Sequence, residues 1–347
     1  MKLHVFNPEH DLALAANIAN FTAPLAGRAL RTDLGYIPAL WADEGDAVLV
    51  EDADKACACF MRLKEQTGFQ AEMPLWVTKT KVSSLNIEAI EPWGWDLAIR
   101  GQLLRYGVEE KILPTVDEIG EIRRLSHRKQ TAYVLEQLLH TGVVGEAFCC
   151  FSVDEIEEKL NTYPDVVLKA PWSSSGRGVR FVHGGMSDAL RGWVSRLLQT
   201  QGSVMLEPFY EKIMDFAMEF SSDGAGTVIY SGLSLFATVN GAYSGNILAK
   251  EEEKEEIISR YISKECIAYV REKIIELTSA LYKEKYSGPF GVDMMVCKGG
   301  LLHPCVEINL RRTMGHVALS LSSYVTKGTF AICGKSPFEL VVEQHNT

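Results

Sequence analysis

Two rhythms of apolar residues divide this chain, and together they restrict it to a mixed α/β architecture. Up to about residue 125, short apolar runs (LHVF from Leu3, AVLV from Ala47, LWVT from Leu75) alternate with helical periodicity around Ala23 to Trp41 and Ala53 to Gln66. Strands separated by helices imply a parallel sheet, because parallel neighbours need a crossover and a helix supplies it. Helical spacing recurs from Trp95 to Tyr106, and Asp117, Glu118 and Glu121 among Ile119, Ile122 and Leu125 mark a further capped helix.

After residue 126 the order changes to a helix (Lys129 to His140), a strand near Phe148, a helix (Val153 to Leu160) and the strand VVLKA. Beyond Glu207, long alternating strands are interrupted by one extended helix, Glu251 to Lys285, whose Ile258, Ile262, Val270 and Ile274 form part of an apolar stripe. The charge run KEEEKEE at its start reads as a solvated helix face. The expected division is an N-terminal parallel α/β domain (1–125), a central lobe (126–206) and a C-terminal lobe of α+β type (207–347). With 347 residues, 47% of them hydrophobic, the chain can bury the cores that this division requires.

A formal charge of −10 argues against a broad nucleic-acid surface. No apolar run reaches the ~18 residues of a membrane span. Neither nucleic acid nor membrane is therefore expected as a partner, and a cytoplasmic location is. The eight cysteines show no CxxC or Cys/His metal spacing and read as reduced thiols.

The segment VVLKAPWSSSGRGVRFV, Val166 to Val182, is a strand, a small-residue loop and a second strand. Ser173, Ser174, Ser175, Gly176 and Gly178 let the backbone approach a ligand, their N–H and O–H groups can donate to phosphate oxygens, and Lys169 adds a cation. Such a loop alone is more often an ordinary turn. It is neither a GxxxxGK[ST] loop nor a dinucleotide-binding glycine fingerprint.

A second segment, Gly288 to His316, reads as a β-hairpin turning at Lys298-Gly299-Gly300. Alternation places Glu307, Asn309 and Arg311 on one face and Val306, Ile308 and Leu310 toward a core. With a three-residue turn, Asp293 falls opposite Cys305 and joins the acidic face, whereas a two-residue turn breaks that arrangement. The three oxygen-bearing side chains Asp293, Glu307 and Asn309 suit Mg²⁺. A solvent-facing strand surface is the plainer reading of the hairpin alone, but Asn is depleted in strands and Arg311-Arg312 beside acids is informative in an acidic chain.

Taken in order, these segments resemble the ATP-grasp superfamily over roughly residues 126 to 320, and biotin carboxylase-like ligases in particular. The resemblance implies ATP held between two lobes with Mg²⁺, or Mn²⁺ in its place. It implies Lys129 near the α-phosphate, with Arg128 as a substitute, and Lys169 on the α- and β-phosphates. Ser174, Ser175, Gly176 and Gly178 would close over the β- and γ-phosphates. In the hinge-like VMLEPFYEKIMDFAMEF, Glu207 and Tyr210 would read adenine, and Glu211 or Asp215 the ribose. Asp293, Glu307 and Asn309 match metal positions, and Arg311 matches an arginine that meets phosphate or substrate carboxylate, with Arg312 and His316 near enough to assist.

The activity this implies is ligation: a carboxylate activated as an acylphosphate is attacked by an amine or thiol, and ADP and phosphate are released. A small-molecule kinase and a regulatory ATP-binding protein are the other two readings. The expected partners are small carboxylates and amines, and a homodimer stays open as the assembly. Asn7, Glu9, His10 and Asp11 follow the first strand, where open α/β sheets bind ligands, and Val239 to Ala249 is a candidate border of the acceptor pocket.

Overall fold

The computed structural model describes residues 1–138, 140–173, 178–239 and 242–345. Its first sheet is four-stranded and fully parallel, built from β1 (Lys2–Val5), β2 (Ala47–Leu49), β3 (Leu75–Val77) and β4 (Ala89–Pro92) in the order β3-β2-β1-β4. The helix Ala53–Thr67 forms where Asp52 accepts from Lys55 N–H and ends at Gly68 in the left-handed region. The predicted Ala23 to Trp41 helix is shorter. Pro24 opens Leu25–Leu34, Gly35 follows it, and Ile37–Leu40 is a separate 3₁₀ turn. In Val116–Leu125 the cap is Thr115 rather than Asp117, forming a reciprocal capping box with Glu118.

A second sheet, antiparallel and ordered β5-β8-β6-β7, contains β5 (Phe148–Cys150), β6 (Asp165–Lys169), β7 (Val179–His183) and β8 (Val204–Pro208). It carries a small core of its own around Ile156, Val166, Leu168, Val194 and Leu206. Helices Val153–Thr162 and Asp188–Gln201 accompany it, each capped by a serine, Ser152 and Ser187.

The third sheet has seven antiparallel strands in the order β13-β12-β9-β10-β11-β14-β15: β9 (Lys212–Ser222), β10 (Val228–Val239), β11 (Ala242–Ala249), β12 (Gly288–Cys297), β13 (Leu301–Asn309), β14 (Lys327–Cys333) and β15 (Glu339–Gln344). The expected single helix over Glu251 to Lys285 is two, Glu251–Ser259 and Lys264–Tyr282, because Ser263 caps the second by accepting from Cys266 N–H. The charge run is only partly solvated. Lys254 is 1% exposed and donates to Leu233 O, and Glu251 accepts from Leu233 N–H and the Tyr230 hydroxyl.

One core joins the first and third sheets, combining Phe6, Leu34 and Phe60 with Leu248, Val317, Phe330 and Leu340. The N-terminal unit and the end of the chain are thus welded by apolar burial, whereas the middle sheet has a core of its own. Among the described residues no helix is long and apolar enough to cross a membrane.

The main core of the seven-stranded sheet stacks Phe220 on Phe290 (centroids 5.2 Å apart), with Tyr282 edge-on at 5.0 Å. Phe290→Ala should cost about 3–5 kcal/mol in urea unfolding through cavity formation. A loss below about 1 kcal/mol would mean that this cluster is not the packed centre.

Candidate functional site

The β12–β13 hairpin turns through the three residues Lys298, Gly299 and Gly300, with Cys297 opposite Leu301 and both glycines at positive φ (87° and 72°). The expected pairing of Asp293 with Cys305 does not hold. The register shifts between Asp293 and Met295, so Asp293 stands directly opposite Glu307. The excess residues lie on β13 around Pro304, which has no N–H for the ladder and so favours a bulge there. The bulge also changes which side chains enter the core: Cys305 joins Ile308 and Leu310 there, while Val306 is half-buried.

On the acidic face the side chains interlock. Asn309 Nδ2 donates to Asp293 Oδ2 at 3.1 Å, and Arg311 Nη2 donates to Asn309 Oδ1 at 2.9 Å. Arg311 also grips Asp11 with two nitrogens, at 3.0 Å through Nε and 2.7 Å through Nη2. Burial alone would raise the Asp11 carboxyl, but the facing guanidinium holds it below its ordinary value. Asp293 behaves oppositely. Burial and the adjacent Glu307 carboxylate push it up to about 7.

Two cations reach this face, Lys169 from the middle sheet and Arg128 from the N-cap of the helix Lys129–Gln137. Lys169, 7% exposed at the end of β6, donates to Glu207 Oε2 at 2.6 Å and to Val306 O at 3.2 Å. Burial pushes the Glu207 carboxyl up and Lys169 opposes that shift. Arg128 donates to Ala170 O, to Ser173 Oγ at 2.9 Å and to Glu307 Oε1 at 2.5 Å, so one guanidinium spans from the base of the Ser/Gly loop to the acidic strand. Gly178 closes that loop base, its carbonyl accepting from Ala170 N–H at 2.7 Å. A Cβ there would lie 2.4 Å from the Ser173 side chain, so only glycine fits.

Between these groups lies a cavity of about 230 Å³, with Ser173 on one side, Asp293, Glu307, Asn309 and Arg311 on the other, and Glu219 among its lining. Among the described residues no three His, Cys, Asp or Glu side chains gather tightly enough to hold a metal by themselves.

No protein-family profile matches the chain, and no curated protein is similar to it in sequence. Solved structures are similar in shape. Biotin carboxylase of Campylobacter jejuni, crystallised as a β,γ-ATP complex, aligns with a TM-score of 0.54 at 16% identity over 98% of this chain and 73% of that one. The biotin carboxylase domain of Hydrogenobacter thermophilus 2-oxoglutarate carboxylase gives 0.53 at 15% identity over 95% and 74%. An ATP-grasp superfamily protein of Archaeoglobus fulgidus gives 0.50 at 11% identity over the whole of both chains. The chain has the ATP-grasp fold.

Within this ATP-grasp frame the residues expected from sequence separate. Lys169, Gly178, Glu207, Asp293, Glu307, Asn309 and Arg311 lie in the contact network just described or at its edge. Ser174, Ser175 and Gly176 lie outside the described residues. Lys129 is exposed and lines a separate concavity beside Tyr133, Cys149 and Lys159, while its neighbour Arg128 takes the buried position. Tyr210 is half-buried, its ring edge-on to His303 at 5.5 Å and its hydroxyl pushed up to about 12 by burial. Glu211 is exposed and paired with Lys298 at 3.0 Å, and Asp215 accepts from Lys212 at 2.5 Å and from Thr238 at 2.7 Å. Arg312 is not brought to the cavity, since it stacks on Trp41 at 4.4 Å and pairs with Glu91 at 3.2 Å.

Glu219 escaped the sequence reading. It is 1% exposed on β9, and burial, reinforced by Asp293, pushes its carboxyl up to about 8. Its Oε2 lies 3.1 Å from His316 Nδ1. Thr313 N–H donates to that same Nδ1, so the nitrogen is an acceptor. Burial pushes His316 down to about 3, and the neutral ring faces a Glu219 Oε2 that is buried with no hydrogen-bond partner among the described residues. Gly315 makes the room, for a Cβ there would meet Glu219 Oε1 at 1.8 Å. Asp215, Ala217 and Glu219 alternate on one strand face, and that spacing was the available signal.

A carboxyl whose folded value is raised favours the native state at low pH. Its contribution is complete below about pH 4.5 and is lost as pH rises through about 8. Glu219→Gln should therefore flatten the fall in unfolding free energy across that window by up to ~1.4 kcal/mol per pH unit. Equal slopes in the two proteins would show that Glu219 is ionised throughout.

Proposed function

We propose that the protein is an ATP-dependent ligase that activates a carboxylate as an acylphosphate and joins it to an amine. The observation that supports this most is three cations gathered about the Asp293–Glu307 pair: Arg128 bonds Glu307, Arg311 bonds Asn309 on the cavity wall, and Lys169 bonds the backbone of Val306 next to Glu307. Triphosphate chemistry requires that combination, with cations placed where charge accumulates on the transferring group and a carboxylate pair that admits a divalent ion.

In this reading a substrate carboxylate oxygen attacks the γ-phosphorus in line, and the bond to the β-phosphate oxygen breaks, releasing ADP. Lys169 and Arg128 hold phosphate oxygens from the lid side, and Arg311 balances charge from the strand side. Asp293, Glu307 and Asn309 would hold Mg²⁺, or Mn²⁺, which supplies neutralisation of the β- and γ-phosphate oxygens. The amine nitrogen then attacks the acyl carbon, the carbon–oxygen bond to phosphate breaks, and the nitrogen gives up its proton. No side-chain nucleophile is needed. The middle sheet, with a separate core, closes as a unit and keeps water from the mixed anhydride. A cytoplasmic setting, with its MgATP supply, belongs to the same proposal.

Calorimetric titration with MgATP tests the nucleotide site. Lys169→Met and Glu307→Gln, chosen to keep volume in a buried ion network, should each weaken binding at least tenfold, or ~1.4 kcal/mol. Unchanged affinity in both variants contradicts the assignment. A coupled ADP-release screen over acid and amine pairs should give turnover only when both are present; turnover with the acid alone and no phosphate release would make the protein a kinase.

A further inference from the structure

A second cavity, about 320 Å³, lies in the N-terminal unit. Its position follows from topology. Sheet order β3-β2-β1-β4 means that the chain builds outward on one side of β1 and then crosses to the other, so the strand order reverses between β1 and β4. Open parallel sheets bind ligands in the crevice outside the carboxyl ends of the strands at such a reversal. Asn7 follows β1, Asp96 follows β4 and Glu51 follows β2, and all three line the cavity.

Most of its polar groups are already committed. Asn7 donates to Gly94 O and Asp96, Asp96 caps the helix Leu97–Arg105 and bonds His10, and Arg31 joins Glu9 Oε1 at 2.9 Å to Gln102 at 2.7 Å. Besides the exposed Glu51 and Arg105 on its lining, two groups of opposite sign are left. Glu9 Oε2 is buried with no hydrogen-bond partner, an arrangement that costs free energy until a donor arrives. Arg28 stands exposed on the rim, with no ion pair among the described residues. A carboxylate oxygen wanting a donor and a guanidinium wanting an acceptor, in one small concavity, match a zwitterion.

The cavity also adjoins the phosphate site. Glu9 and Asp11 belong to the same first turn, around the start of the helix His10–Ala16, with Glu9 on this cavity and Asp11 on Arg311. We propose that this cavity takes the amine substrate as a free amino acid, its ammonium on Glu9 and its carboxylate on Arg28. The assignment rests on the ligase reading, for which it supplies the nucleophile.

Thermal unfolding of the full chain with each proteinogenic amino acid, and with its N-acetyl and amide derivatives, tests this without turnover. At least one free amino acid should raise Tm, while the derivatives lacking either charge should not. Arg28→Ala and Glu9→Gln should abolish that rise and keep the rise given by MgATP. The proposal is overturned if no amino acid raises Tm, if a derivative acts equally well, or if the Arg28→Ala protein responds like the parent. A Tm unmoved by MgATP but raised by an amino acid would instead remove the ligase reading and leave the zwitterion site standing.

Discussion

One buried guanidinium, that of Arg128, sets the relation between the two halves of the site. It is 6% exposed, holds the base of the Ser/Gly loop through Ala170 and Ser173, and reaches Glu307 at 2.5 Å. The groups it joins carry opposite requirements. The acidic strand has more negative charge than low-polarity surroundings tolerate, and the loop base offers oxygens that need donors. Lys169 repeats the pattern one step away, pairing with Glu207 and touching the backbone of Val306. Removing Lys169 strands the buried Glu207 carboxylate and removing Arg128 leaves the half-buried Glu307 unpaired, which is why these contacts organise the site.

The surrounding packing assigns rigidity unevenly. The N-terminal sheet and the end of the chain share one apolar core, while the middle sheet owns a separate one. The helix that Arg128 opens packs Val134 and Leu135 into the core of the seven-stranded sheet, but the contacts by which the middle sheet shapes the site are polar: Lys169 to Val306 O, and the Trp172 indole donating to Arg123 O beneath the Arg123 guanidinium. Polar contacts of this kind exchange for ligand or water contacts at modest net cost, so they suit a boundary that opens to admit a nucleotide.

Much of this was legible in the sequence because periodicity and small-residue loops are local properties. The parallel βα unit, the strand ending at Lys169 and the acidic hairpin follow from spacing alone, while the choice of a three-residue over a two-residue turn does not. The misplaced features were set by tertiary context. The bulge at Pro304 moved Asp293 opposite Glu307, the demand for a cap at Ser263 broke the long helix, and burial drew Lys254 inward from a run that looks solvated. Of two adjacent basic residues, sequence favoured Lys129, yet the turn leading into that helix buries Arg128 and exposes Lys129. Glu219 was hidden because its partners, His316, Thr313 and the space at Gly315, come from a segment nearly a hundred residues away.

A crystal structure with Mg²⁺ and a non-hydrolysable ATP analogue tests the central claim most directly. The account predicts triphosphate density between Lys169 and the Asp293–Glu307 pair, a metal on Glu307, and Arg128 turned from that carboxylate onto phosphate oxygens. Nucleotide bound elsewhere, or the Arg128–Glu307 contact intact beside an ordered analogue, would contradict it.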